Sequence, residues 1–232
     1  RRYLVGYKRG KYNFTDILSL NKMGWMVGLQ MGLETALFSI TGIMIGWLGS
    51  IALAAHQVMV AISTLGFMIY YGVGAAVSVR VSNYFGRQEL LHVRRTTMAG
   101  FHLILCLAVC ACTVFLFSRE LIGYLFTTSE EVIRVVSTLV YILLAYQFGD
   151  AVQITYANSL RGIGDVISMA VISFIGYFLI AMPVCYICGF VLEWGITGIW
   201  IGYPIGLTLT GVMLCGRYYW KLKTKTQSKE FY

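Results

Sequence analysis

Residues 23–48 read MGWMVGLQMGLETALFSITGIMIGWL. At 1.5 Å per residue, a helix of that length reaches across a ~30 Å hydrocarbon core. The run holds one charged residue, Glu34. Its apolar positions do not alternate, whereas barrel strands need about 9–11 alternating residues. Five more runs of this kind follow, at about 53–79, 98–117, 132–160, 168–190 and 196–220. The expected fold is therefore all-α: a polytopic transmembrane six-helix bundle.

Composition agrees with this expectation. Hydrophobic residues make up 58% of the 232 and charged residues 12%, against roughly 25% charged in a soluble domain. Mean hydropathy is +0.74. The 25 glycines sit inside apolar runs, where transmembrane helices accept them better than soluble helices do. The net charge of +8 could signal nucleic acid. Here the basic residues fall in the gaps between apolar runs, so the expected partner is a lipid bilayer and no nucleic acid is expected.

That distribution fixes an orientation. Arg1, Arg2, Lys8, Arg9, Lys11 and Lys22 precede the first helix. Arg80, Arg87, Arg94 and Arg95 separate the second and third, and Arg161 the fourth and fifth. Arg217, Lys221, Lys223, Lys225 and Lys229 follow the sixth. The opposite side has only Arg119 and Arg134, in a loop shared with Glu120, Glu130 and Glu131. The positive-inside rule puts both termini in the cytoplasm of a multi-pass cell (inner) membrane protein. Residues 1–22 read as a cytoplasmic linker, 23–220 as the six-helix unit and 221–232 as a basic cytoplasmic tail. The sequon Asn13-Phe14-Thr15 falls on the cytoplasmic side and is not expected to carry a glycan. Residues 80–97, RVSNYFGRQELLHVRRTT, look like a short amphipathic helix along the inner leaflet.

Smaller features are read as packing. Gly24, Gly28 and Gly32 recur every four residues, as do Gly198, Gly202 and Gly206. Such ladders let another backbone approach closely. Pro183 and Pro204 should kink the fifth and sixth helices. The six cysteines lie in apolar runs, and Cys185-Tyr186-Ile187-Cys188 has no second CxxC, so all six read as small packing residues. His56, His92 and His102 are scattered, at an outer loop edge, the amphipathic segment and a helix end. No HExxH or His–Asp pair appears, so membrane acyltransferase or metalloprotease chemistry lacks its residues and no enzyme is expected.

The informative charges are those that topology does not explain. Eight of ten acidic residues lie in or beside loops, but Glu34 and Asp150 lie well inside the first and fourth helices. A bare carboxylate at mid-membrane costs at least ~3 kcal/mol. No Lys or Arg sits in any apolar run to pair with either. Counted from their cytoplasmic ends, both lie roughly 15 Å deep on antiparallel helices, so they can meet across the bundle interior. If they meet, either one holds a proton or a cation sits between them, and both outcomes describe a cation site; the alternative is a buried carboxylic acid that donates one structural hydrogen bond. Na⁺ would be held by hard oxygens. Tyr146 and Gln153 share a helix face with Asp150, and Gln30 is four residues before Glu34, so Gln30 and Gln153 are candidate polar lining. Met and aromatic residues of the first, second and fourth helices read mostly as core or lipid-facing, with some of them suited to line a cavity for varied greasy ligands.

Three stretches resemble a known family: AAHQVMV at 54–60, GVGAAVSVRVSNYFGR at 72–87, and DAVQ with SLRGIGD between Asp150 and Asp165. In order and spacing they resemble the C-terminal half of the multidrug and toxic compound extrusion (MATE) family, from about residue 14 onward. The resemblance implies one six-helix lobe of a twelve-helix transporter, with the N-terminal six-helix lobe as partner. It implies exchange of Na⁺ or H⁺ for small cationic or amphipathic drugs by alternating access. By position, Glu34, Tyr146 and Asp150 match the family's cation-binding residues. No cofactor is implied beyond the coupling ion, Na⁺ or H⁺. The alternatives are a flippase for lipid-linked oligosaccharide from the same superfamily, and a membrane anchor or assembly subunit that does not transport.

Overall fold

A computed structural model describes residues 14–230, and the side chains of residues 228–230 fall outside that description. The basic residues among the first 13 positions, the Asn13 sequon and the Lys229 side chain therefore lie outside the described residues. Seven helices follow in order: α1 Phe14–Gly46, α2 Ser50–Gly86, α3 Leu90–Phe117, α4 Arg119–Phe126, α5 Glu130–Gly162, α6 Val166–Val191 and α7 Gly195–Glu230. All except α4 are long and apolar enough to cross a membrane. Trp25, Phe117 and Leu125 are 71, 85 and 73% exposed, and an exposed apolar surface of that kind requires lipid. The chain is a multi-pass helical membrane protein.

The spans outrun the bilayer. α1 has 33 residues and α2 has 37, so each is about 50 Å or more long against a ~30 Å core. Residues 14–22, read as linker above, continue α1, and residues 221–230 continue α7. The connections are tight turns. Gly49 and Gly164 take the left-handed conformation, with φ of 112° and 76°, which glycine adopts without a Cβ penalty.

Residues 80–97 do not form a surface helix, which corrects the expectation from their spacing. α2 ends at Gly86, three residues turn, and α3 begins at Leu90. Gln88 has φ 62°, and Glu89 N donates to Tyr84 O at 2.9 Å to close the turn. The apolar positions that suggested an amphipathic face, Val81 and Val93, are fully buried with Leu160 and Tyr218. They point into the bundle because two spans meet there. A short amphipathic helix lies instead at α4, in the connection between α3 and α5. It rests Gly123 on Ile133, buries Ile122 in an apolar cluster with Val132 and Val136, and exposes Leu121, Tyr124 and Leu125.

α5 and α7 form the centre of the bundle. Of their most apolar windows 50% and 56% are buried, against 22% for α3, so α3 is a peripheral span. One apolar cluster gathers Leu37, Ile45, Ile62, Leu139, Leu143 and Tyr203 toward the end where α2 begins. Another gathers Val81, Val93, Leu160, Met169, Leu214 and Tyr218 toward the end where α2 meets α3. The stretch of α5 between them, residues 146–153, carries the polar side chains described below.

The two glycine ladders differ. A Cβ on Gly198 would strike the Cys188 carbonyl, one on Gly202 the Cys185 side chain, and one on Gly206 the Ala181 methyl. This ladder is the seam on which α7 lies against α6. Nothing lies within 4 Å of a Cβ on Gly24, Gly28 or Gly32, so among the described residues that ladder faces open space. Pro183 follows a widened, π-type stretch at Ile175–Ala181. A proline has no N–H for the carbonyl one turn back and its ring crowds it, and the wider turn relieves that clash. Cys185 is buried, while Cys106 and Cys110 are exposed, so these two do not pack inside.

Candidate cation site

Asp150 sits mid-way along α5 with 0% exposure, and neither carboxylate oxygen has a hydrogen-bond partner. Buried polar groups are nearly always hydrogen-bonded, and an unpaired buried charge is among the most costly groups a fold can hold. Across the bundle, Glu34 of α1 lies within electrostatic reach of Asp150. The two carboxylates thus lie in one electrostatic neighbourhood without touching, and α1 packs mainly on α6 and only lightly on α7.

Glu34 is half-buried and held by neutral donors. Its Oε2 accepts from Gln30 Nε2 at 3.3 Å and from the Tyr177 hydroxyl at 3.3 Å. Tyr177 OH in turn accepts from Gln153 Nε2 at 2.6 Å. Gln30 and Gln153, the expected polar lining, are 3% and 1% exposed and belong to this network. Tyr146 is buried one turn before Asp150 and meets Phe38 edge-on, centroids 6.5 Å apart. Glu34 and Tyr146 share the wall of a cavity of about 260 Å³ that also holds Met31, Phe38, Val60 and Phe67. One carboxylate in a wall of methionine and aromatic side chains suits an apolar ligand with a positive charge.

Other oxygens in this layer lack partners: Gln153 Oε1, Gln147 Oε1 and Tyr70 OH. Together with both Asp150 oxygens they are hard donors of the kind a small alkali cation takes in place of water. Among the described residues no group of three His, Cys, Asp or Glu side chains forms a metal cage. The donor set fits a weakly held, exchangeable ion or a proton better than a resident transition metal.

Two sequence expectations are corrected here. Arg161 is not a simple loop charge. It ends α5 but turns into the bundle, donating from Nη2 to Gln30 Oε1 at 3.4 Å, and from Nη1 to Tyr71 OH at 3.2 Å and Asn158 Oδ1 at 3.3 Å. A basic residue therefore does approach the carboxylate layer, since α5 runs on past the apolar window before it turns. His56 is not at a loop edge either. It is 2% exposed in α2 and meets Trp200 edge-on at 5.8 Å. Gly42 lies beside it, its Cβ position 3.5 Å from His56 Nε2, an ordinary van der Waals distance. Sequence reading missed Tyr177 and Gln147. Gln147 lies three residues before Asp150 and was open to the same spacing argument, whereas Tyr177 is on another helix and gave no local signal.

A sequence model of the MatE family matches residues 27–187. The chain is 34% identical over 220 residues to the multidrug resistance protein NorM of Photobacterium profundum, covering 93% of this chain and 47% of that protein. It is 31% identical over 211 residues to the multidrug resistance protein MdtK of Proteus mirabilis, covering 89% and 46%. Among solved structures, a eukaryotic MATE transporter, AtDTX14, superposes with a TM-score of 0.84 at 19% identity, covering 95% of this chain and 51% of that one. A MATE in complex with MaL6 gives 0.86 at 14% identity, covering 94% and 49%. At such identities these two establish the fold alone. The chain spans about half the length of the curated relatives it matches.

Proposed function

This chain belongs to the MatE family, and from that membership we propose that it is one six-helix half of a multidrug efflux antiporter coupled to Na⁺ or H⁺. The observation that carries the coupling is Asp150: fully buried, both oxygens unpartnered, with a second carboxylate in reach. A cation or a proton in this layer removes the cost of that arrangement. The reading takes Glu34, Tyr146 and Asp150 as the groups that hold the ion, with Gln30, Gln153 and Tyr177 orienting Glu34.

The cavity supports cationic or amphipathic substrates over a pyrophosphate-bearing lipid. Its wall contains Glu34 and no basic side chain, so a phosphate group would meet only repulsion there. Glu34 belongs to both the cavity and the ion layer. A positively charged drug and the coupling ion thus compete for one carboxylate, and this competition makes the exchange obligatory. Alternating access then needs a second wall, which is the role of the N-terminal lobe. The widened turns before Pro183 give α6 a place to bend as that wall moves.

The test uses the full-length protein, with its other lobe, in proteoliposomes. Asp150→Asn and Glu34→Gln keep size and remove charge, and each should abolish ion-driven drug export while the protein remains folded and inserted. Tyr146→Phe and Tyr177→Phe remove one hydroxyl each and should weaken the dependence on ion concentration without eliminating export. Running export against a Na⁺ gradient at fixed pH, then against a pH gradient without Na⁺, identifies the ion. Undiminished export by the Glu34→Gln, Asp150→Asn double variant would refute the cation site.

A further inference from the structure

Arg161 has a burial problem of its own. Its Nε is buried without a hydrogen-bond partner. Its remaining donors reach only neutral groups, the Tyr71 hydroxyl, Asn158 Oδ1 and Gln30 Oε1. The guanidinium also lies over the Tyr71 ring, 5.9 Å from its centroid. Among the described residues no carboxylate is within ion-pair distance of it. A guanidinium taken partly out of water needs an anion, and a planar fork is suited to a carboxylate above all. The anion in reach is Glu34. Gln30 links the two: its Oε1 accepts from Arg161 at 3.4 Å, and its Nε2 donates to Glu34 Oε2 at 3.3 Å. Both bonds are at the long end of the range, so the contact is formed but loose. A narrow cavity of about 20 Å³ runs along this route, lined by Gln30, Glu34, Tyr71, Gln153, Asn158 and Arg161.

We propose that Arg161 is a tethered counter-cation of the site: acting through Gln30, it competes with the coupling ion for Glu34 and so promotes the ion's release. It is a positioning residue, since it touches neither ion nor drug. The inference rests on the cation-site reading above. When the ion is present, Glu34 and Asp150 face it and Arg161 is held by its neutral partners. As the ion leaves, the uncompensated charge on Glu34 draws on Arg161 through the glutamine amide. The bare site is thereby stabilised and recapture of the ion disfavoured. A unit charge two hydrogen bonds away, at an effective dielectric near 20, changes an affinity by about tenfold.

The experiment measures the ion concentration for half-maximal drug export, and the maximal rate, in proteoliposomes holding the full-length protein. Whichever ion drives export, Na⁺ or H⁺, is the probe. Arg161→Gln should lower the half-saturating concentration about tenfold and lower the maximal rate, because the ion binds more tightly and leaves more slowly. Arg161→Lys keeps the charge and should stay near the parent in both. Gln30→Met cuts the link and leaves Arg161 in place. Because Gln30 is itself a donor to Glu34, the reading is the double variant: once the link is cut, adding Arg161→Gln should shift half-saturation no further, and Arg161→Met replaces Arg161→Gln in both backgrounds should the latter fail to reach the membrane. A residue that only braces the fold would lower the maximal rate and leave half-saturation unchanged. That result, or a raised half-saturation, overturns the proposal. Glu34→Gln separates the two readings. If Glu34→Gln leaves coupling intact, the cation site itself falls. If it abolishes coupling while Arg161→Gln leaves half-saturation unmoved, only the counter-cation role falls.

Discussion

The turn between α5 and α6 is tied to α7 by one ion pair, and cutting it should measurably loosen the inner end of the bundle. Asp165 Oδ2 accepts from Arg217 Nε at 2.8 Å, and Oδ1 accepts from Ser168 Oγ at 2.9 Å. The two charged side chains are 9% and 29% exposed, so the pair lies between the surface case, about 0–1 kcal/mol, and the buried case, about 3–5. Asp165→Asn removes the charge and keeps the shape, and should cost about 2 kcal/mol. The Arg217 guanidinium retains its stacking on Trp220, 4.6 Å away, which limits the loss. At about 2–4 °C per kcal/mol for a unit of this size, and about half that for a protein twice as long, purified full-length protein should melt about 2–4 °C lower, as followed by thiol-dye unfolding in detergent. The pH dependence carries a sign. Burial raises the Asp165 carboxyl, but hydrogen bonds from Arg217 and Ser168 and the charges of Lys221 and Arg217 more than offset it, and hold it below the usual range. A group depressed by folding stabilises above its unfolded value, about 3.9, and loses that contribution as pH falls through its folded value. The melting difference between parent and variant should therefore be constant from about pH 5 to 8 and shrink only below about pH 4. An Asn variant that melts with the parent at pH 7, or a difference that fades already between pH 7 and 6, would refute this account.

Two further outcomes are expected. Gly202→Leu should fail to fold or melt far below the parent, since Cys185 leaves no room for a Cβ, whereas Gly28→Leu, which meets nothing within 4 Å, should leave the isolated lobe's packing unchanged; equal thermal stability of the two variants would contradict the seam between α6 and α7. In a background lacking the exposed Cys106 and Cys110, cysteines at Ser50 and Ser129 should react with an impermeant maleimide outside intact cells and one at Lys223 only after lysis, and the reverse pattern would invert the membrane orientation.

The class and the helix count were legible because lipid imposes a coarse rule. A span needs some 20 apolar residues whatever it packs against, so residues 23–48 and their five counterparts announced themselves. The two misplaced carboxylates were legible for a related reason. Lipid makes Glu34 and Asp150 costly in any fold, so their presence alone demanded a partner. Helix ends were less legible, because α1, α2 and α7 continue as helix beyond the hydrocarbon, where hydropathy no longer marks them. Residues 80–97 show the same limit, for a face that buries Val81 and Val93 against another span has the same periodicity as one that lies on lipid.

The sequence by itself determined that this chain has six membrane-crossing helices, carries its basic residues in the gaps between them and places two acids inside apolar spans. These follow from properties of single segments in a uniform solvent. The tertiary structure decided which side chains those acids meet. Tyr177 reaches Glu34 from a helix 143 positions away in sequence. Arg161, which local hydropathy assigns to a loop, turns inward because α5 continues past the apolar window and Gln30 of α1 lies where its guanidinium ends. Such partnerships depend on the rotation and crossing of whole helices. Those are set by close packing of many side chains at once, as on the Gly198–Gly202–Gly206 seam, and no short stretch of sequence encodes them.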